Sequence, residues 1–247
     1  MMGQKRSRSL SWQRHRPAAW VRSLVRAGSR RPTSCCKYQG ATARDTPRRN
    51  ARLSQAQNKL NAVAAIVLAA GASLRLGTPK QLARLGAETL LERTVRVAIE
   101  AALKPVYGVV PADLMIEPAP IGMIRVVNHE AAEGMASSIR AGLRALETSG
   151  AFISGAILLA CDQPAVTAEH LRELADGAGD VVASAYSGRK GVPAYFPSAV
   201  FATLLALHGD LGARDLIQNA RAVPLPYGDL DIDTIQDLNQ ARKLYSI

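Results

Sequence analysis

The chain has 247 residues, of which 48% are hydrophobic, so it is long and apolar enough to bury a substantial core. Its formal net charge of +11 is concentrated at one end, because residues 1–60 hold 15 of the 31 Lys and Arg but only one acidic residue, Asp45. The remainder, with 16 basic and 19 acidic residues, carries −3, which removes the charge argument for nucleic-acid binding by a folded domain. No apolar stretch is as long as the roughly 18 residues of a membrane helix, so we expect no membrane partner either.

Residues 1–60 are expected to form a basic, disordered extension, since Arg and Ser dominate and no apolar periodicity is long enough to fold. Three interpretations are open: a disordered tail or a wrongly assigned start codon, an organellar transit peptide, and a basic arm for nucleic acid or another polyanion. Two of the three cysteines, Cys35 and Cys36, lie in this extension, and Cys161 has no partner in the domain. A reducing, cytoplasmic compartment is therefore expected.

Residues 61–247 are expected to form one domain, in which short runs rich in Val and Ile alternate with helix-period segments. This pattern is typical of an α/β fold of three layers, Rossmann-like, with a mostly parallel sheet and helices on both faces. Strands are expected near 63–69, 106–110, 124–128, 155–161, 180–185, 192–196 and 222–227. Helices are expected near 90–101, 135–146, 169–175, 198–207 and 234–245.

The most informative stretch is residues 66–81, where an apolar run passes into small residues, two glycines and two cations. A strand that brings its backbone against a polyphosphate has this composition. The spacing excludes a Walker loop, because Gly71 to Gly77 is one residue too long and Lys80 does not follow Gly77 directly. The three-glycine dinucleotide pattern is also absent. The stretch predicts a nucleotide site that uses Arg75 and Lys80, with solvated loop charges as the alternative.

The same stretch matches L-A-A-G-x-S-x-R-x-G-x-x-K-Q-L, which opens the nucleotidyltransferases that couple a nucleoside triphosphate to a phosphorylated acceptor. Further segments follow in the same order: EGMASSI at 133–139, CDQP at 161–164, GVPA at 191–194, GDLGAR at 209–214 and DIDT at 231–234. From about residue 63 onward, the chain therefore resembles the MobA-like molybdenum cofactor nucleotidyltransferases, particularly the cytidylyltransferase branch.

The resemblance implies a nucleotidyltransferase fold and a magnesium-dependent reaction. A nucleoside monophosphate, CMP from CTP or GMP from GTP, would pass to the phosphate of a molybdopterin acceptor with release of pyrophosphate. Arg75, Lys80 and Asp162 would be catalytic, and Asp162 and Asp233 would bind Mg2+. The nucleotide would contact Leu68, Ala69, Ala70, Gly71, Ser73, Lys80, Asn128, Gly134, Ser137 and Ser138. The acceptor would contact Gly191, Pro193 and Arg214.

Structural alternatives stay open for several of these residues. Asp162 could cap the turn that follows it, and Asp233 could cap the last helix, for which Thr234 is the other candidate cap. The serines of 137–138 could be plain helix-start residues, Asn128 a turn residue, and the 209–214 segment a helix-capping loop. His129, His170 and His208 lack metal-ligand spacing and are expected at the surface or in turns.

Two departures from the family pattern bear on function. Val192 stands where the cytidylyltransferase branch often carries histidine, which leaves the acceptor open, and Ile235 replaces a proline at the start of the last helix. The alternatives are guanylyl transfer, transfer to another phosphorylated acceptor, and a molybdenum cofactor carrier or insertion factor without turnover. A molybdenum hydroxylase is a possible partner.

Overall fold

A computed structural model describes residues 62–71, 75–177, 179–209 and 213–245. The extension expected at residues 1–60 lies outside these ranges, and so does Ser73. Within them, seven strands form one sheet: β1 (Val63–Leu68), β4 (Val106–Pro111), β5 (Met123–Asn128), β6 (Gly155–Ala160), β7 (Val182–Tyr186), β8 (Arg189–Pro197) and β9 (Arg221–Pro224). Two shorter strands, β2 (Arg84–Leu85) and β3 (Glu88–Thr89), pair as a separate hairpin.

The sheet order is β5-β4-β1-β6-β8-β7-β9, and β8 is antiparallel to both of its neighbours while the other pairings are parallel. β1 and β6 run side by side in the centre, with Leu68 opposite Ala160 at their carboxyl ends. The expected α/β class with a mostly parallel sheet is therefore confirmed. The two central strands end at the same edge, which is where such sheets bind ligands.

Six helices lie in the described part of the chain: α1 (Leu90–Glu100), α2 (Met135–Thr148), α3 (Ala168–Ala175), α4 (Phe201–Leu205), α5 (Arg214–Gln218) and α6 (Ile235–Leu244). Helices α1 and α3 pack on one face of the sheet, against odd-numbered positions of β1 such as Ala65 and Val67. Helices α2, α4 and α5 pack on the other face, against even-numbered positions such as Ile66. This alternation produces the three expected layers.

A separate apolar cluster lies beside the sheet edge. It joins Leu76 and Leu85, before α1, to Ile232 and to Leu238 on α6. Helix α6 begins with a capping box in which Thr234 and Asp237 satisfy each other's backbone amides, so Thr234 is the cap and the Asp233 carboxylate is not. This small core holds the segment after Gly71 against the segment before α6.

The observed elements extend beyond the sequence prediction at three places. The β2–β3 hairpin lies where no element was expected, α5 is the helix that the helix-capping interpretation of 209–214 requires, and the helix expected at 198–207 is a 3-10 turn at Ser198–Val200 followed by α4. Further 3-10 turns lie at Lys80–Leu82 and Ala131–Glu133. None of the helices in the described ranges is long and apolar enough to cross a membrane.

Candidate active site

Four charged side chains meet at the carboxyl edge of the central strands. The Lys80 ammonium contacts the Asp162 carboxylate, and its Nζ lies 3.2 Å from Oδ1 of Asp233. The second oxygen of Asp233 lies 2.7 Å from Nη2 of Arg75. Residues 158 positions apart in the sequence are thus joined in one network of alternating charge.

The fold explains why these residues meet. Asp162 follows the end of β6, while Lys80 opens the 3-10 turn after the loop that leaves the neighbouring strand β1. The amide of Ile232 donates to the carbonyl of Asp162 at 2.9 Å, which ties the segment containing Asp233 to the end of β6. The carboxylate of Asp162 contacts Lys80. The described contacts therefore favour the charged network over a role for this carboxylate as the cap of the following turn.

Burial and pairing set the charge states of the network. Burial alone would lower the pKa of Lys80, but contact with Asp162 and then Asp233 outweighs it, so the pKa lies above its ordinary value. The two carboxylates that contact Lys80 therefore face a fully charged ammonium at neutral pH. The neighbouring Asp231, two residues before Asp233, has its pKa raised to about 6, first by burial and then by the charge of Asp162.

The loop after β1 is held in place by hydrogen bonds from one buried side chain. The buried side chain of Gln81 donates to the carbonyl of Ala69 and, at 3.4 Å, to that of Gly71. A Cβ placed on Gly71 would meet only Lys80 Cε, at the ordinary contact distance of 3.9 Å. The described protein atoms would tolerate a Cβ at Gly71. The glycine therefore leaves open space beside the loop and does not serve to avoid a clash within the protein.

A cleft of about 850 Å³ opens beside the charged network. Its lining includes the polar residues Asp162, Gln163, Tyr186 and Asp231, the cations Arg189, Lys190 and Arg214 from β8 and α5, and apolar side chains such as Leu68 and Ile139. Of the residues predicted to bind nucleotide or acceptor, Leu68, Gly191 and Arg214 line this cleft. Pro193 is buried in β8, and its carbonyl accepts the Ser184 hydroxyl at 2.6 Å.

Tyr186 is a cleft residue that the sequence did not reveal. Its hydroxyl donates to the carbonyl of Val192 at 3.1 Å and lies 3.4 Å from Nε2 of Gln163. A Cβ on Gly191 would overlap this hydroxyl, and one on Gly228 would lie 2.7 Å from the ring. Both glycines therefore make room for Tyr186, whose position no local sequence pattern specifies.

Three residues predicted to contact the nucleotide, Asn128, Ser137 and Ser138, form a buried polar cluster where β5 ends and α2 begins. The Asn128 amide donates to Ser137 Oγ at 2.9 Å and to Ser138 Oγ at 3.0 Å, and its Oδ1 accepts from the Glu130 amide at 2.9 Å. Ser137 in turn donates to the carbonyl of Gly134 at 2.8 Å. These side chains hold the start of α2 to the end of β5, so nucleotide contact there would come mainly from backbone groups.

Glu133 and Arg140 link the start of α2 to the chain at residues 207–209. The Arg140 side chain is buried and pairs with both oxygens of Glu133, at 2.8 and 2.5 Å, and donates to the carbonyl of Leu207 at 2.7 Å. Glu133 also accepts from the amide of Gly209 at 3.3 Å. These contacts, Arg140 foremost, lower the pKa of Glu133 to about 2. The chain just before 210–212, which is not described, is thus fixed to α2.

The histidines divide differently from the expectation. His170 is buried rather than a surface or turn residue, and its Nε2 lies 2.7 Å from Ser184 Oγ. Because Ser184 donates its own proton to the Pro193 carbonyl, the His170 Nε2 must carry a proton in this contact. Burial lowers the pKa of His170, so it serves as a neutral packing and hydrogen-bonding group.

The carboxylate pair fits the magnesium site that the sequence predicts. Asp162 and Asp233 already converge on one cationic position, occupied by the Lys80 ammonium. In the described ranges no group of three or more His, Cys, Asp and Glu is arranged to hold a metal ion. Magnesium needs only one or two protein carboxylates when substrate phosphates and waters supply the other oxygens, so this pair is sufficient.

The described geometry is that of a nucleotidyltransferase fold, and comparison with known proteins agrees. The MobA-like NTP transferase domain family matches residues 65–223. Purine catabolism protein PucB of Bacillus subtilis is 30% identical over 199 residues, which cover 73% of this chain and 96% of that protein. A probable molybdenum cofactor guanylyltransferase of Opitutus terrae is 33% identical over 147 residues, covering 58% of this chain and 70% of that protein.

Solved structures show the same relationship. Rv0371c from Mycobacterium tuberculosis H37Rv matches with a TM-score of 0.59 and 29% identity, covering 76% of this chain and 100% of that one. Its complex with manganese matches with a TM-score of 0.56 and 25% identity over 74% of this chain and 98% of that one. The family match spans more than half of the chain, and PucB matches over nearly its whole length. The chain therefore belongs to the MobA-like NTP transferase family of nucleotidyltransferases.

Proposed function

We propose that this protein transfers CMP from CTP to the terminal phosphate of a molybdopterin-type acceptor, with Mg2+ as its metal ion and pyrophosphate as the second product. The observation that carries the proposal is the convergence of Arg75, Lys80, Asp162 and Asp233 beside an open cleft. Such a cluster supplies cations and metal-binding carboxylates at one place, which is what phosphoryl transfer requires. The buried free thiol of Cys161 agrees with work in the reducing cytoplasm.

In the proposed reaction, an oxygen of the acceptor phosphate forms a bond to the α-phosphorus of CTP. The bond from that phosphorus to the bridging oxygen of the β-phosphate breaks, and pyrophosphate leaves with the electron pair. Lys80 and Arg75 stabilise the negative charge that develops on the phosphate oxygens. A magnesium ion held by Asp162 and Asp233 would supply further neutralisation of the triphosphate.

The nucleotide is proposed to lie along the loop after β1. Leu68 to Gly71 would present backbone groups to it, with the open space at Gly71 allowing close approach. The start of α2, from Gly134 to the serines at 137–138, would supply further backbone amides. Asn128 would act through those serines, to which it is bonded. Ser73 remains a predicted nucleotide contact outside the described ranges.

The acceptor is proposed to occupy the cleft between β8 and α5. Gly191 and Arg214 line it, and Arg214 offers an exposed cation at its rim for the acceptor phosphate. Pro193 would act only by shaping β8, because its ring is buried. A molybdenum hydroxylase that receives the finished cofactor is the proposed protein partner.

Guanylyl transfer from GTP is the second candidate, favoured by the name of the Opitutus terrae relative at 33% identity. Transfer to a different phosphorylated acceptor would use the same charged network. A carrier that holds the cofactor without turnover is disfavoured, since Lys80 and Arg75 form a cluster suited to transition-state charge rather than to storage.

The test is pyrophosphate release by the full chain with Mg2+ and molybdopterin, with CTP, GTP, ATP and UTP in separate reactions. Acceptor-dependent release with CTP would support cytidylyl transfer, and release with GTP would support the second candidate. A Lys80→Ala variant is the matched control, because it removes the cation that contacts both carboxylates. Nucleotide binding without release from any of the four would contradict the proposed reaction and favour another acceptor or a carrier.

A further inference from the structure

Gln81 follows Lys80 directly in the same 3-10 turn, yet its side chain points to a different place. Only 1% of the residue is exposed. While Lys80 reaches the carboxylates of Asp162 and Asp233, the Gln81 amide donates to the carbonyl of Ala69 and lies 3.4 Å from that of Gly71. Two successive residues of one turn thus contact the charged network and the loop after β1.

The contact with Ala69 fixes the orientation of a peptide group. In a trans peptide the carbonyl of one residue and the amide of the next point in opposite directions. The carbonyl of Ala69 accepts from the buried Gln81, so the amide of Ala70 points to the opposite side of the loop, although Ala70 itself is only 8% exposed. Gly71, the next residue, is exposed. Backbone amides that converge on one side of a loop are a common way to bind phosphate and other oxygens.

We propose that Gln81 is a positioning residue for nucleotide binding: it holds the Ala69 and Gly71 carbonyls inward, so that the Ala70 amide is presented to an oxygen of the bound nucleotide. The inference rests on the proposed nucleotide site and adds a residue that acts through the loop rather than by touching the ligand. It also gives the Lys-Gln pair of the opening motif two complementary roles, with Lys80 acting on charge and Gln81 on backbone orientation.

Gln81 contacts the loop through the donor end of its side-chain amide, so a substitution can remove that donor selectively. Within the described ranges its Oε1 is buried and accepts no hydrogen bond, so the side chain acts there through its Nε2 donor. Methionine has similar length and volume but no donor, so Gln81→Met removes the donor and keeps the packing. Gln81→Glu keeps the shape and places a carboxylate against the carbonyls, which repels them.

The experiment measures binding of Mg-CTP and Mg-GTP to the full chain by titration calorimetry, without acceptor, using the nucleotide that the wild type binds more tightly. We expect Gln81→Met to raise the Kd about tenfold, because the Ala70 amide is no longer held in place and loses one hydrogen bond to a charged ligand. We expect Gln81→Glu to raise the Kd further. Gln240→Met is the matched control, because Gln240 is exposed on α6 and should leave the Kd unchanged.

The measurement separates positioning from simple stability. A variant that merely folds less well lowers the number of binding sites per chain while the Kd of the folded fraction stays the same. A raised Kd with a full complement of sites supports positioning. An unchanged Kd in a folded Gln81→Met or Gln81→Glu protein would overturn it. If the wild type binds neither Mg-CTP nor Mg-GTP, the proposed function itself fails, which is a different result from equal binding by wild type and variants.

Discussion

Removal of the Lys80 ammonium tests the charged network most directly. The side chains of Lys80 and Asp162 are only 16% and 14% exposed, so their contact is screened far less than a surface ion pair. Lys80→Met leaves Asp162 with its negative charge and without this ammonium, whereas Asp162→Asn leaves Lys80 paired with Asp233 at 3.2 Å. The structure therefore predicts an asymmetric cost.

The magnitude lies between two known limits. Exposed ion pairs contribute about 0–1 kcal/mol, and breaking a fully buried pair costs about 3–5 kcal/mol. We expect Lys80→Met to lower the free energy of unfolding by about 2–3 kcal/mol and Asp162→Asn by about 1 kcal/mol. The double variant should cost less than the sum, with a coupling of about 1–2 kcal/mol.

Urea unfolding at pH 7 with a chelator present measures these three variants against the wild type. The same proteins are assayed for pyrophosphate release, where each single change should lower turnover by about 100- to 1,000-fold through loss of charge stabilisation. A cost of Asp162→Asn equal to or above that of Lys80→Met, or a coupling below about 0.3 kcal/mol, would refute the pairing inferred from the contacts.

Three further predictions follow from individual residues. Gly71→Ala should change the free energy of unfolding by less than about 1 kcal/mol but weaken Mg-CTP binding, as measured by calorimetry; equal affinity would show that the space is not used. Gly191→Ala should cost about 1–3 kcal/mol in urea unfolding, and less in a Tyr186→Phe background that lacks the overlapping hydroxyl; equal costs in both backgrounds would contradict the clash. His170 has a lowered pKa through burial, offset in part by the charge of Glu173, so the unfolded chain takes up its proton at higher pH than the folded protein. Stability should fall as the pH drops below about 6.5, and His170→Gln should flatten that fall in urea midpoints; parallel profiles would be contrary evidence.

The layer order of this fold was predictable because helix-period and strand-like segments alternate along the chain. The orientation of β1 was not, since all six residues of Val63–Leu68 are apolar and pattern alone cannot say which face each side chain meets. The direction of β8 could not be predicted either, because side chains alternate between the two faces in the same way whichever direction a strand runs. The β2–β3 hairpin has two residues in each strand, too few to show any period.

The meeting of the charged residues could be anticipated from fold rules, because the carboxyl ends of parallel strands share one edge. The structure brings Arg75, Lys80, Asp162 and Asp233 into contact there, and their catalytic roles stay predictions. What the sequence could not provide is which side chain each residue contacts. The pairing of Gln81 with the Ala69 carbonyl depends on a turn 12 residues away along the chain, which local propensity does not describe.

Gly191 lines the predicted acceptor site, yet a different, structural reason requires glycine at this position. The sequence predicts an acceptor contact there, and the residue does line the cleft. Its lack of a side chain is nevertheless required by Tyr186, whose hydroxyl occupies the space that a Cβ would take. The same hydroxyl is bonded to Val192 and lies beside Gln163, the residue after Asp162. A change at Gly191 would therefore reach the charged end of the cleft through Tyr186, whether or not the acceptor touches the glycine itself.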